Sequence, residues 1–505
     1  MTSGAYDELI TRTKDASLLA STASLLSWDQ QTKMPPGGIE HRSKQMAQLV
    51  GLVHERLTDP RIGELLAECE SDAELTSDPH SDTGANLREI RRRYDRETKL
   101  PGDLVEEMAR TTSLAEHEWT EARAKSDFSL FRPWLEKNIG LSRRAAECYG
   151  WESDGEAWDA LAEDYEPGMR ARDVERVFTP LRDNLQNLVS DLMSGPRKPS
   201  TVVESLSLPI DGQERFVRTV AEAMGFDFER GRIDTTVHPF CSGSHPGDVR
   251  ITTRYAENKF FDAIGSTMHE AGHGLYEQGL PVEHNGTPLG NAVSLGIHES
   301  QSRMWENFVG RSLPFWKWCL PEVHKVFGDA TSHLSVEDAF EGMNIVRPDF
   351  IRVEADEATY NLHIMVRFEL ERGLISGDIP PADLPHEWNR RYKEYLGVEV
   401  PDDARGCLQD VHWSAGLIGY FPTYTLGNLY AAQIFEKALA DIPGLYDDFE
   451  RGDFSALKSW LNTNLHAHGG RYLPAELCER ITGKPLEPKP LLRHLNDQLR
   501  PLYGC

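Results

Sequence analysis

Met268-His269-Glu270-Ala271-Gly272-His273-Gly274 sets the reading of the whole chain. It contains the pattern H-E-x-x-H. On a helix, residues four apart stand one turn above each other, so His269 and His273 share a face and can reach one metal ion. Imidazole nitrogens at that spacing suit zinc, and Glu270 lies beside them, placed to take a proton from a water on the ion. The flanking Phe260, Phe261, Ile264, Met268 and Leu275 recur at helical spacing. They predict a helix over 257–279, ended by Gly279-Leu280-Pro281.

Zinc hydrolases keep three protein ligands and one open position, and two histidines with a glutamate are a standard set. A loop containing Asn285-Gly286 leads to a second predicted helix, Leu289 to Val309, carrying His298-Glu299-Ser300-Gln301. Glu299 is the candidate third ligand, a carboxylate within an otherwise apolar segment (Val293, Leu295, Ile297, Met304, Trp305, Phe308) on the next helix. His298 and Gln301 fall elsewhere on that helix and read as substrate contacts or as supports for the ligands. The position four after Glu299 is Arg303, so the carboxylate that orients the ligand histidines has to come from another place. Asp356 and Asp410 are candidates.

Upstream, Phe226 to Tyr255 has β-branched pairs, Gly and Pro punctuation, and an apolar–polar alternation over Gly247 to Arg254. This predicts two or three short strands before the metal helix. An edge strand there suits pairing with an extended peptide, and a purely structural hairpin fits the pattern equally. The first two hundred residues read as helical scaffold. A helix over 5–29 carries Leu9, Ile10, Leu18, Leu19, Leu25 and Leu26, and Pro35-Pro36-Gly37-Gly38 breaks it. A second helix carries Ile39, Met46, Leu49, Val50, Val53 and Leu57, and Asp59-Pro60 closes it. Residues 70–84 read as a surface loop, and Asn86 to Ser194 as helices punctuated at Pro101, Pro133, Gly150 and Pro167. The expected organisation is a scaffold lobe over 1–225 and a catalytic lobe over 226–505, as one continuous structural unit.

Composition bounds the function. A chain of 505 residues with 39% hydrophobic and 9% aromatic content buries a large core. No apolar run reaches the roughly 18 residues of a membrane span, and the N-terminus lacks a basic region and apolar core, so no membrane partner and no secretory signal are expected. A net charge of −27 argues against binding nucleic acid, whose phosphates would be repelled. The seven cysteines are scattered singly, which reads as reduced thiols in a cytoplasmic protein.

Six strings, two of them already described, carry a resemblance. His238-Pro239-Phe240, Asp248-Val249-Arg250-Ile251-Thr252, the H-E-A-G-H and H-E-S-Q stretches, Ile351-Arg352-Val353-Glu354-Ala355-Asp356 and Gly406-Cys407-Leu408-Gln409-Asp410-Val411-His412-Trp413 occur in that order. Together they resemble the metal-dependent, or thermostable, carboxypeptidase family. Gly419-Tyr420-Phe421-Pro422-Thr423-Tyr424-Thr425-Leu426-Gly427-Asn428 is also similar, as are Leu26-Ser27-Trp28-Asp29 and Met34-Pro35-Pro36-Gly37-Gly38. The resemblance implies a mainly α fold, with a deep groove and a small β-sheet near the metal. It also implies zinc, or cobalt or another divalent ion, on His269, His273 and Glu299, with Glu270 as catalytic residue, and commonly a homodimer.

Within the matching strings, His238, His412, Tyr420 and Tyr424 are candidate donors to the oxyanion, or else packed rings and core histidines. Release of a terminal residue requires recognition of a free carboxylate, which suits arginine's planar fork. Arg352 is the first candidate and Arg250 the second; pairing with Asp356 and Asp248 is the alternative use of both. The expected function is a zinc carboxypeptidase acting on peptides. The competing readings are a helical zinc oligopeptidase, which needs no clamp for a terminal carboxylate, and a non-catalytic binding protein.

Overall fold

Ser3–Thr32 and Ile39–Leu57 form a helical pair, separated where Pro35 takes an extended backbone. Asp59 ends the pair by capping the next helix, Pro60–Glu70, its carboxylate accepting from the Arg61 N–H at 2.9 Å. That helix packs Ile62, Leu65, Leu66 and Cys69 against Ala5 and Leu9. The computed structural model describes residues 3–505. The stretch expected as a loop at 70–84 holds a short helix, Ala73–Thr76, started by the Asp72 cap.

The chain divides into two compact units, each drawn from three separated stretches. Unit one comprises Met1–Thr98, Ser200–Met343 and Ile434–Lys484; unit two comprises Lys99–Pro199, Asn344–Gln433 and Pro485–Cys505.

In unit two, the break expected at Pro133 occurs earlier. Ser126 turns left-handed (φ 53°), Asp127 caps the next helix, and Phe128–Tyr149 runs through Pro133. A proline inside a helix costs about 3 kcal/mol. The burial of Phe128, Phe131, Leu135, Ile139 and Leu141 on that helix outweighs it. The centre of unit two is Glu357–Ser376, buried around most of its circumference, with Leu362, Ile364, Val366, Phe368, Leu370 and Leu374 all inside. Asp356 starts it by accepting from the N–H groups of Ala358 and Thr359.

Unit one holds the three strands found among the described residues, all within the expected segment: β1 (Gly231–Thr235), β2 (Cys241–His245) and β3 (Asp248–Thr253). The sheet order is β1-β3-β2, with β1 parallel and β2 antiparallel to the central β3. Val249 and Ile251 of β3 are buried, and the metal helix Phe260–Gly279 lies on them through Gly274. A Cβ at Gly274 would sit 3.1 Å from Ile251 and 2.6 Å from Phe226. No helix among the described residues is long and apolar enough to cross a membrane, and all seven cysteines are unpaired.

Candidate metal centre

The metal helix presents His269 and His273 with ring centroids 4.9 Å apart. Both aim Nε2 at one oxygen of Glu299: Oε2 lies 3.7 Å from His269 and 3.5 Å from His273. Ligands about 2.1 Å from a tetrahedral ion are about 3.4 Å apart, so these spacings fit a divalent ion directly. Among the described residues, this is the one group of three His, Cys, Asp or Glu side chains whose donor atoms lie close enough to hold a metal, all within 4.8 Å of one another.

Two helices must approach closely to bring these atoms together. Glu299 sits on Leu295–Arg303, a helix started by Ser294, whose hydroxyl accepts from the Ile297 N–H at 3.0 Å. Gly272, between the two ligand histidines, faces this helix. A Cβ there would lie 2.6 Å from the Gln301 carbonyl and 2.7 Å from the Ser302 Cα. Both obstacles are backbone, so the helices can only part. Gly272→Ala should therefore cost about 2 kcal/mol of stability and weaken divalent-metal binding about tenfold. A thermal melt and a metal titration measure the two effects; an unchanged affinity would show that the ligand triangle does not depend on this contact.

The carboxylate behind His269 is neither Asp356 nor Asp410. It is Glu306, whose Oε2 lies 2.8 Å from His269 Nδ1. Asp356 is spent as a helix cap, and Asp410 on arginines. Glu306 is seven residues after Glu299, nearly two full turns, so it returns to the same face. It lies in Met304–Val309, where the helix widens to π geometry, a feature that collects at functional sites. Arg303, at the position expected to be acidic, bridges the two glutamates: Nε donates to Glu299 Oε1 at 2.7 Å and Nη1 to Glu306 Oε2 at 3.2 Å. Arg303 thus occupies one oxygen of Glu299 and leaves Oε2 for the histidines. Behind His273 stands His298, Nδ1 to Nδ1 at 2.6 Å, and His298 Nε2 lies 2.8 Å from Glu277 Oε1. Gln301 turns into the core, its side-chain Oε1 2.9 Å from His466 Nε2.

Burial and charge set the protonation. Glu270 is 6% exposed, and its Oε2 is buried without a hydrogen-bond partner. Burial pushes its carboxyl up to about 7, with Glu299 and Glu306 adding and His269 opposing. A base with that proton affinity is suited to work near neutral pH. Burial also opposes ionisation of Glu299, but Arg303, His269 and His273 hold it well below the usual carboxylate range. For Glu306, Arg303 and His269 overcome burial and bring the carboxyl to about 2. Burial takes His273 down to about 3, so its imidazole is neutral and fit to be a ligand.

The remaining candidates sit apart in kind. Arg250, on β3, forks onto Asp248 at 2.8 and 2.9 Å and lies 4.3 Å over the Trp28 ring. His238 is exposed in the β1–β2 connection. Arg352, in unit two, is buried and spends Nε and Nη2 on Asp410 Oδ1 at 2.9 and 2.8 Å, while Nη1 donates to the Tyr360 hydroxyl at 3.1 Å. Its partner is therefore Asp410, with Asp356 serving as a cap. A second guanidinium, Arg367, holds the other oxygen of Asp410 at 2.7 Å. The sequence reading missed Arg367, although a charge within Ile364-Met365-Val366-Arg367-Phe368 was a visible signal. Beside this trio, His412 Nε2 lies 3.3 Å from the Tyr424 hydroxyl, and Tyr420 packs edge-on to Tyr424. Burial brings His412 down to about 4, so it is neutral.

Comparison with known proteins places the chain among metallopeptidases. Residues 8–499 match the family described as carboxypeptidase Taq (M32) metallopeptidase. Thermostable carboxypeptidase 1 of Thermus thermophilus is 46% identical over 99% of both chains. Carboxypeptidase 1 of Bacillus subtilis is 37% identical over 97% of both. Among solved structures, the M32 carboxypeptidase of Deinococcus radiodurans superposes with a TM-score of 0.95 at 38% identity, covering 99% of this chain and 100% of that one. The mainly helical fold with a small sheet is thus the one the relatives share. Matched along nearly its whole length, the chain belongs to the carboxypeptidase Taq (M32) family of metallopeptidases.

Proposed function

We propose that this metallocarboxypeptidase holds zinc on His269, His273 and Glu299 and releases single residues from the C-terminus of peptides, with Glu270 as its base. The observation that supports this most is the unpartnered, buried Oε2 of Glu270 next to three converging donor atoms. A divalent ion bound there, zinc or cobalt in its place, supplies Lewis acidity toward the scissile carbonyl and the attacking water. Glu270 accepts the water's proton and returns it to the leaving amine. Glu306 and His298 hold the ligand imidazoles, and Arg303 orients Glu299.

The substrate's terminal carboxylate is assigned to Arg352 in preference to Arg250. Asp410 neutralises only one of the two guanidiniums that grip it, so the Arg352–Arg367 pair keeps an excess positive charge. Arg250 is matched one-to-one by Asp248. His238, His412, Tyr420 and Tyr424 are assigned to substrate binding. The chemistry is placed after residue 226, and the chain is taken to work in the cytoplasm as a homodimer.

The test compares a free-acid peptide with its C-terminal amide. The free acid should lose one residue at a time, and amidation should lower kcat/KM roughly a hundredfold, the worth of a charge-assisted pair shielded from water. Equal cleavage of both would sink the terminal-carboxylate reading and favour an oligopeptidase.

A further inference from the structure

The two ligand histidines have different supports. His269 Nδ1 meets a carboxylate directly, whereas His273 Nδ1 meets another imidazole, His298, which meets the carboxylate of Glu277. The chain His273–His298–Glu277 leaves the metal helix and returns to it. Glu277 is one turn beyond His273, and His298 immediately precedes Glu299 on the facing helix. The side chains of His298 and Glu277 are only 20% and 19% exposed. Glu277 is also pressed from the far side, since a Cβ at Gly243 of β2 would lie 2.4 Å from its Oε2.

We propose that His298 and Glu277 are positioning residues that fix the tautomer of His273, so that its Nε2 offers a lone pair to the metal. The inference rests on the assignment of His273 as a ligand. It follows from hydrogen-bond direction. An ionised carboxylate can only accept, so the hydrogen between Glu277 and His298 belongs to His298 Nε2. A neutral His298 then has a bare Nδ1. A 2.6 Å contact between two ring nitrogens holds one hydrogen, and with His298 Nδ1 bare it must come from His273 Nδ1. His273 Nε2, 3.5 Å from Glu299 Oε2, is left without a hydrogen and faces the ion's position. The reverse order would set a lone pair of His298 against Glu277 and put a hydrogen on His273 Nε2, where the metal has to bind. His269 reaches the same tautomer through Glu306 alone, so two different supports give both ligands one protonation pattern.

The test uses full-length protein and zinc, with affinity read by competition against a chromophoric chelator. His298→Phe removes the acceptor, and Glu277→Gln supplies an amide that can turn and donate to His298. Each should weaken zinc binding by roughly tenfold to a hundredfold while leaving the melting temperature of the metal-free protein within a few degrees of the parent. Affinities within threefold of the parent in both variants would overturn the proposal. If a variant does not fold, nitrogen NMR of histidine-labelled, zinc-loaded parent decides: a protonated Nδ1 on His273 supports the relay and a bare Nδ1 overturns it. A parent that binds no stoichiometric zinc would overturn the metal centre together with the relay, a pattern unlike relay failure, in which parent and variants bind zinc equally.

Discussion

Glu270→Gln should leave the metal content unchanged and lower kcat/KM about a thousandfold. The substitution is nearly isosteric and breaks no hydrogen bond at Oε2, which has no partner. Folding and ligand geometry should therefore persist. What is lost is the lone pair that takes the water's proton: general-base catalysis is worth roughly 10²–10⁴ in rate, and in a site where the base is 6% exposed no bulk water can replace it. A thousandfold loss corresponds to about 4 kcal/mol of transition-state stabilisation. The decisive pair of measurements is metal content by elemental analysis and kcat/KM on a free-acid peptide. A variant with full metal content and activity within tenfold of the parent would remove Glu270 as base.

The second large effect concerns stability. Asp410→Ala should destabilise the protein by about 3–5 kcal/mol, because it leaves Arg352 and Arg367 buried together without their shared anion. Arg367 is fully buried and Arg352 is 7% exposed, so water cannot take the carboxylate's place. The pH dependence carries the signature. Burial works against ionisation of Asp410, but the two guanidiniums hold its carboxyl far below the usual range. A group whose folded pKa is depressed stabilises the fold above its unfolded pKa, and that contribution fades as pH falls toward the folded value. The gap in denaturation midpoint between parent and variant should hence be constant from about pH 5 to 8 and narrow only below about pH 4. Matching midpoints at pH 7 would mean that the arginines find other anions.

The convergence of three donor side chains could be read from sequence because it depends on local geometry. His269 and His273 are one turn apart, and Glu299 follows on the next helix, so periodicity and ligand chemistry suffice. Glu306 was not legible in the same way: the usual place for that carboxylate is the fourth position after Glu299, while here it lies at the seventh, within a π-turn that sequence patterns do not announce. The partner of Arg352 was beyond pattern reading for another reason. Asp410 is 58 residues away in sequence, and only tertiary packing brings the two together. Pro133 shows propensity being overruled, since an apolar face buried along Phe128–Tyr149 outweighs one lost backbone hydrogen bond. The strands were expected, but the parallel pairing of β1 with β3 around an intervening β2 was not.

The interleaving of the two units bears on how the protein is made. Glu299 is added at residue 299, but unit one lacks Ile434–Lys484 until residue 484, and unit two needs Pro485–Cys505 as well. At roughly 5–20 residues per second, His269, His273 and Glu299 wait about 10–40 s for the rest of their unit. During that interval Gln301 has no His466 to meet, and the surface that Leu457, Leu461 and Leu465 will later help to bury stays uncovered. Both units are closed by late segments, unit one by Ile434–Lys484 and unit two by Pro485–Cys505, so the nascent chain depends on being kept from aggregation until those stretches emerge.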